Sequence, residues 1–171
     1  MPRVIEKSDV APIYIGLDPG KQGGLVALCE RVIWYSVMPE SELDVWQWFQ
    51  KLPELSRGNV HGLVERVHSM PDQSAQSGFT FGQGYGCLRM ALTAAAISWN
   101  DITPQAWMKS LQIPLSGKQS KSEKKLKLLA VAKQLYPKLP LWAEKNSKGK
   151  QLAICDALLI AHCCKLQHER E

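Results

Sequence analysis

No run of about 18 consecutive apolar residues occurs in the 171-residue chain, so nothing in it reads as a membrane-spanning helix. The N-terminal stretch MPRVIEKSDVAP lacks the apolar segment of a signal peptide, and the chain is expected to be soluble and unexported. Cysteines number only five, Cys29, Cys87, Cys155, Cys163 and Cys164, and none falls in a CxxC pair. That spacing argues against structural zinc and fits a reducing compartment. No histidine pair offers a zinc alternative, no repeat recurs, and no low-complexity segment interrupts the pattern. The length also disfavours a second sizeable core: 171 residues suit one domain of about 150 residues with ragged ends.

What the chain does have is an excess of base. Lys and Arg total 21 against 16 Asp and Glu, a formal charge of +5, which favours an acidic polymer as partner without identifying one. Residues 1 to 12 read as a loose lead-in, 13 to 166 as a single domain and 167 to 171 as a polar tail. Strands are expected over 13 to 18, 23 to 29 and 31 to 38, the last two separated only by Glu30 and therefore joined by a tight antiparallel connection. A Rossmann domain would place a helix directly after its first strand, so this opening argues against one.

A helix over 41 to 55 follows, with Ser41 as its cap, then a strand from His61 to Val67 and an irregular polar segment from His68 to Ser77. Between Phe79 and Ala96 three glycines, Gly82, Gly84 and Gly86, precede a helix that settles at Cys87; they cost helix stability, and close backbone packing or substrate approach would explain them. A short strand is read over 97 to 102 and a helix from Thr103-Pro104 that carries Trp107. Beyond a Gly/Ser/Lys-rich loop at 112 to 121, Ser122 is expected to cap a helix to about Leu135, with Leu126, Leu129, Ala130 and Leu135 inward. The last helix begins near Gln151, after a basic loop at 143 to 150. The order βββαβαβαα, with an antiparallel hairpin feeding an otherwise α/β layer, is an RNase H-like arrangement: a mixed central sheet with flanking helices.

Three carboxylates interrupt apolar segments: Asp18 in IYIGLDPG, Glu65 in GLVE and Asp156 in CDALLI. Each has a structural reading beside the chemical one. A strand-end Asp accepts turn N–H groups. Glu65 on a central strand is costly unless paired or metal-bound, and Arg89 or a lysine would pair it. Asp156 would cap a helix that started there, but the apolar pattern runs through it on both sides. Together the three suit one or two Mg²⁺ or Mn²⁺ ions, which prefer oxygen ligands and bridge substrate phosphates. With two ions, one would activate a water and the other stabilise the leaving 3′ oxygen.

These segments resemble the RuvC-like Holliday junction resolvases of the RNase H superfamily, in their bacterial, phage and chloroplast branch. The resemblance rests on IGLDPGKQGG, LVERVHSMP, FTFGQGYGCLRMAL, ITPQAWMKSL and ICDALLIAH, in order over residues 13 to 162. It implies Mg²⁺ ligation by Asp18, Glu65 and Asp156, with Mn²⁺ as a substitute, and a homodimer that makes symmetric nicks across a four-way DNA junction. It also implies a cytoplasmic, nucleoid-associated location, or an organelle matrix where a transit segment has been removed. One position departs from the pattern. The branch carries a second acid one helical turn before the final Asp, and here Leu152 occupies it. Three readings follow: three carboxylates plus phosphate oxygens suffice, Glu144 or another acid substitutes, or the chain binds junctions with little cleavage.

Lys118, Lys121, Lys124, Lys125 and Lys127, with Lys145, Lys148 and Lys150 before Asp156, are placed to meet phosphates or simply to solvate helix faces. Lys109 would contact the scissile-strand phosphate or lie on the surface behind Trp107. Phe79 and Phe81 offer a wedge against an opened base pair, with core filling as the alternative for one of them. Gln73, Gln76 and Gln83 would hydrogen-bond base edges or serve as ordinary loop polar groups. Trp46, Trp48, Trp99 and Trp142 read as core or dimer-surface aromatics. A non-catalytic junction-binding protein is the competing function, on the strength of Leu152. An actin- or sugar-kinase-like ATP-using protein begins similarly but needs a second nucleotide-binding domain that 171 residues cannot supply. Transposase or RNase H activity stays open, since fold does not fix substrate.

Overall fold

Alternation along the strands decides the layering. In β1 (Ile13–Leu17) Ile13, Ile15 and Leu17 face one side of the sheet, and β2 (Gly24–Leu28) sends Leu25 and Ala27 the same way. Val26, Leu28 and Leu63 point to the opposite side. The computed structural model describes residues 11–30, 32–66, 74–114, 119–145 and 147–170. Its five strands, completed by β3 (Ile33–Val37), β4 (Val60–Glu65) and β5 (Ser98–Ile102), lie in the order β3-β2-β1-β4-β5. β1 pairs antiparallel with β2 and β2 with β3, whereas β1/β4 and β4/β5 are parallel. The sheet is therefore mixed, with the expected hairpin at one end.

One face is covered by α1 (Glu42–Gln50), α2 (Leu52–Leu55) and α3 (Ala75–Ala94) through Val45, Phe49, Leu52, Leu88 and Leu92. The other is covered by α4 (Pro104–Ser110), α5 (Lys121–Leu135) and α6 (Lys148–His168), through Trp107, Met108, Leu128, Leu129, Ile154 and Leu158. Ser41 caps α1 as expected, accepting from Asp44 N at 3.2 Å. Among the described residues no helix is long and apolar enough to cross a membrane.

Several boundaries differ from the sequence reading. The helix over 41 to 55 is two helices that meet at Lys51, with Pro53 in the first turn of the second. α3 begins at Ala75, inside the segment read as irregular, because Ser74 accepts from Ser77 N at 3.2 Å and starts it. Gly82, Gly84 and Gly86 lie within this continuous helix, and a methyl group on Gly82 or Gly86 would meet nothing within 4 Å. α5 is capped by Ser120 rather than Ser122: Ser120 and Glu123 bond reciprocally as a capping box. Packing on the sheet turns Leu128, Leu129 and Ala132 of this helix inward and leaves Ala130, Leu126 and Leu135 exposed. α6 starts at Lys148, three residues before Gln151, and runs through His168, which packs against Tyr14 and His61.

α6 lies unusually close to the sheet. A methyl group on Gly16 would overlap Ala157 O and Ala161 N, and one on Gly24 would lie 2.9 Å from Ala153 O. The stripe Ala153, Ala157, Ala161 thus rides over bare backbone, and this close approach carries Asp156 to the end of β1.

Candidate metal centre

Asp18 follows the last residue of β1, and Glu65 is the last of β4. The parallel register pairs Leu17 with Val64, so the next pair along is Asp18 opposite Glu65. Adjacent strands lie about 5 Å apart, and equal parity puts both side chains on the α6 face. Asp156 descends to them from α6. All three are half-buried.

Burial and mutual repulsion raise their proton affinity. Burial and the neighbouring Asp18 push Glu65 up to about 7, with Asp156 adding to the rise while the Trp107 indole and Lys124 oppose it. Burial and Asp18 also push Asp156 up to about 6, against Lys125 and Lys124. Asp18 is raised by burial, offset by the Gly20 N–H and Lys125. Gly20 N donates to Asp18 Oδ1 at 3.3 Å, so the turn role expected of a strand-end Asp is present alongside its place in the cluster. A methyl group on Gly23 would overlap Asp18 itself, which makes the bare backbone there a condition for the carboxylate's position.

Three mutually repelling carboxylates, without cysteine or histidine, are a donor set for a hard divalent cation. Among the described residues no group of three or more Asp, Glu, His or Cys is placed so that it could hold a metal ion as it stands. The three are neighbours that feel one another's charge, and a bound cation would relieve the repulsion that raises them.

Glu144 does not join the three carboxylates. Its carboxylate accepts from Tyr35 OH at 3.3 Å and from Lys150 Nζ at 2.9 Å, out on the surface. Leu152, four residues before Asp156 on α6, packs against the apolar cluster beneath the helices. Among the described residues three carboxylates influence one another at this end of the sheet.

The lysines divide into groups. Lys124 and Lys125 on α5 lie near enough to the carboxylates to counter their upward shift. Lys127 turns away and donates to Pro114 O at 2.8 Å. Lys150 is paired with Glu144 at 2.9 Å and lies over the Tyr35 ring, 5.4 Å from its centroid, with its side chain still 40% exposed. Lys121 and Lys148 are exposed at the first positions of α5 and α6, and Lys109 is exposed on α4. Lys118 and Gln73 lie outside the described residues.

Phe79 is 74% exposed on α3 and is not a core residue. Phe81 is half-buried and stacks on Tyr85 with ring centroids 6.5 Å apart. Phe81, Gln76 and Gln83 line a groove of about 1160 Å³ that reaches Pro19 and Lys21, beside Asp18. Trp46, Trp48 and Trp99 pack against the core of the α1–α3 face, and Trp142 against that of the α4–α6 face.

The residue that sequence reasoning missed is Trp107. Its side chain is 1% exposed, and its Nε1 donates to Glu65 Oε1 at 2.8 Å. A buried indole N–H needs an acceptor, and the half-buried Glu65 was the candidate within reach of that rule.

A mixed sheet with an antiparallel hairpin leading into parallel strands, helices on both faces and carboxylates at the ends of β1 and β4 defines an RNase H-like α/β protein. No protein-family model matches the chain, and no curated protein does. Solved structures do, and they identify the fold as RuvC-like. T. thermophilus RuvC in complex with a Holliday junction substrate matches at TM-score 0.57 and 14% identity, over 93% of this chain and 96% of that one. A second Thermus thermophilus RuvC structure matches at TM-score 0.55 and 16% identity, over 92% and 96%.

Proposed function

We propose that the chain is a divalent-metal-dependent endonuclease that resolves four-way DNA junctions by a pair of symmetric nicks. The observation that carries the reading is the meeting of Asp18, Glu65 and Asp156 at one end of the sheet, fronted by Lys124 and Lys125. The RuvC-like fold, which includes a relative solved with a Holliday junction, supports the choice of substrate. Mg²⁺, with Mn²⁺ as substitute, would be held by the three carboxylates and would supply Lewis-acid activation of water and of the leaving oxygen. Lys124 and Lys125 would draw the scissile phosphate toward an otherwise repulsive acidic centre. Phe79, exposed on α3, would stack on a base freed at the crossover, and the groove beside Asp18 would present Gln76 and Gln83 to nearby bases.

A junction with two-fold symmetry needs two centres in fixed relation, so the reading includes a homodimer. α3 offers a surface for it: Met90 is 63% exposed there, and Gly78, Gly82 and Gly86 leave the backbone open to close approach.

The test is cleavage of a labelled four-way junction with Mg²⁺, with Mn²⁺ and with a chelator, beside linear duplex and fork controls. Paired nicks on the junction alone, lost in chelator, are expected. Tight junction binding without metal-dependent nicking would favour the second reading, a junction-binding protein, which Leu152 supports. Leu152→Asp discriminates further. It restores an acid one turn before Asp156 and is expected to raise the nicking rate at limiting Mg²⁺ about tenfold, the scale on which metal-site neighbours act. An unchanged rate would mean that the missing acid does not limit activity.

A further inference from the structure

Trp107 is the largest fully buried side chain described, at 1% exposed, and the only one of the largest buried side chains whose polar atom reaches the acidic centre. It sits on α4, whose start is fixed by Thr103: the Thr103 hydroxyl accepts from Ala106 N at 3.2 Å, and Pro104 occupies the first helical position. α4 follows β5, which pairs with β4 so that Ile102 is opposite Glu65. The strand pair and the cap thus place the indole beside the carboxylate, within the same buried cluster as Leu63, Ile102 and Met108.

From this geometry we propose that Trp107 is a positioning residue of the metal centre, its indole N–H holding one oxygen of Glu65 so that the other is presented as the ligand atom. The inference rests on the metal-centre reading above. An indole suits the task for a physical reason. It is a donor only, so it does not compete as a ligand, and it is neutral, so it adds no charge to oppose an incoming cation. A Lys or Arg at the same place would orient Glu65 equally well but would satisfy it as an ion pair and repel the metal. The contact also compensates for the short ligand set. With Leu152 in place of an acid, each remaining carboxylate must be oriented in advance, because no fourth ligand corrects a misplaced third.

Mn²⁺ binding to the chain alone, by titration calorimetry and by the loss of the free-ion EPR signal, tests this without any substrate. Trp107→Phe keeps the ring in the core and removes the N–H. It is expected to weaken Mn²⁺ binding about tenfold, and to raise the Mn²⁺ concentration for half-maximal junction cleavage by the same factor, with the rate at saturating Mn²⁺ little changed. Met108→Leu disturbs the same cluster but leaves the indole in place, and should bind Mn²⁺ as the wild type does. Wild-type affinity in Trp107→Phe would overturn the proposal, as would an equal loss in Met108→Leu, which would make Trp107 a packing residue only. A wild-type chain that binds Mn²⁺, loses affinity in Trp107→Phe and yet cleaves no junction would leave Trp107 in its role and overturn the proposed activity instead.

Discussion

Asp18→Asn is expected to reduce metal-dependent nicking of a four-way junction by at least about 10³-fold, a loss of about 4 kcal/mol of transition-state stabilisation. The size follows from position. Asp18 is the charged neighbour with the largest influence on both Glu65 and Asp156, so it is the carboxylate the other two share. Asparagine keeps the shape and an oxygen to accept the Gly20 N–H, so the turn after β1 should survive. Junction binding in chelator should be unchanged or tighter, because one negative charge near the phosphates is gone. Gel-shift binding, nicking and cooperative unfolding measured on the same preparation separate the outcomes. Retained nicking would remove Asp18 from the chemistry, and loss of folding would make it a structural residue.

The second large effect is on stability and carries a definite sign. Glu65 stands at about 7 in the folded chain against an ordinary 4.5, so between these values the folded state holds a proton that the unfolded state has released. That contribution to stability is fully present below about 4.5 and is lost as pH rises through about 7. At about 1.4 kcal/mol per pH unit, the interval sets a ceiling of about 3 kcal/mol. Glu65→Gln should therefore be more stable than the wild type at pH 8 by up to about 3 kcal/mol, with the difference fading by pH 4.5. Mg²⁺ should close the gap at pH 8 by stabilising the wild type alone, through binding to the folded state. Urea unfolding at the two pH values, with and without Mg²⁺, checks this; equal stability at pH 8 without metal would show that the carboxylates are not in the repulsive arrangement described. The same substitution should abolish nicking, so stability and activity move in opposite directions at one residue.

The carboxylates were legible because they violate their surroundings. Asp18, Glu65 and Asp156 each break an apolar run, and a charge in such a run requires a partner or a metal. The strands were legible for a related reason, since alternation is a local property of β1, β2 and β4. Helix starts were less so. Ser120 and Ser122 are both acceptable caps by type, and only the reciprocal bond with Glu123 distinguishes them. Ser74 was hidden because the glycines after it lower helix propensity, which the helix nevertheless overcomes by packing Leu88, Ala91 and Leu92 on the sheet.

By itself, then, the sequence determined that a hairpin opens a mixed α/β sheet, that three acids lie in segments bound for its interior, and that Leu152 stands one helical turn before Asp156. The tertiary structure alone decided which of these groups meet. The parallel register that sets Asp18 opposite Glu65 joins residues 47 positions apart. The bare backbone at Gly16 lets α6 bring Asp156 down to them, and Trp107 reaches Glu65 from a separate helix. Lys124 and Lys125 lie near the carboxylates while Lys150 is paired with Glu144. Local pattern records whether a residue is to be buried and on which face of its own element; it carries no record of what stands opposite, because that is set by strand order, register and helix approach, which are properties of the packed chain.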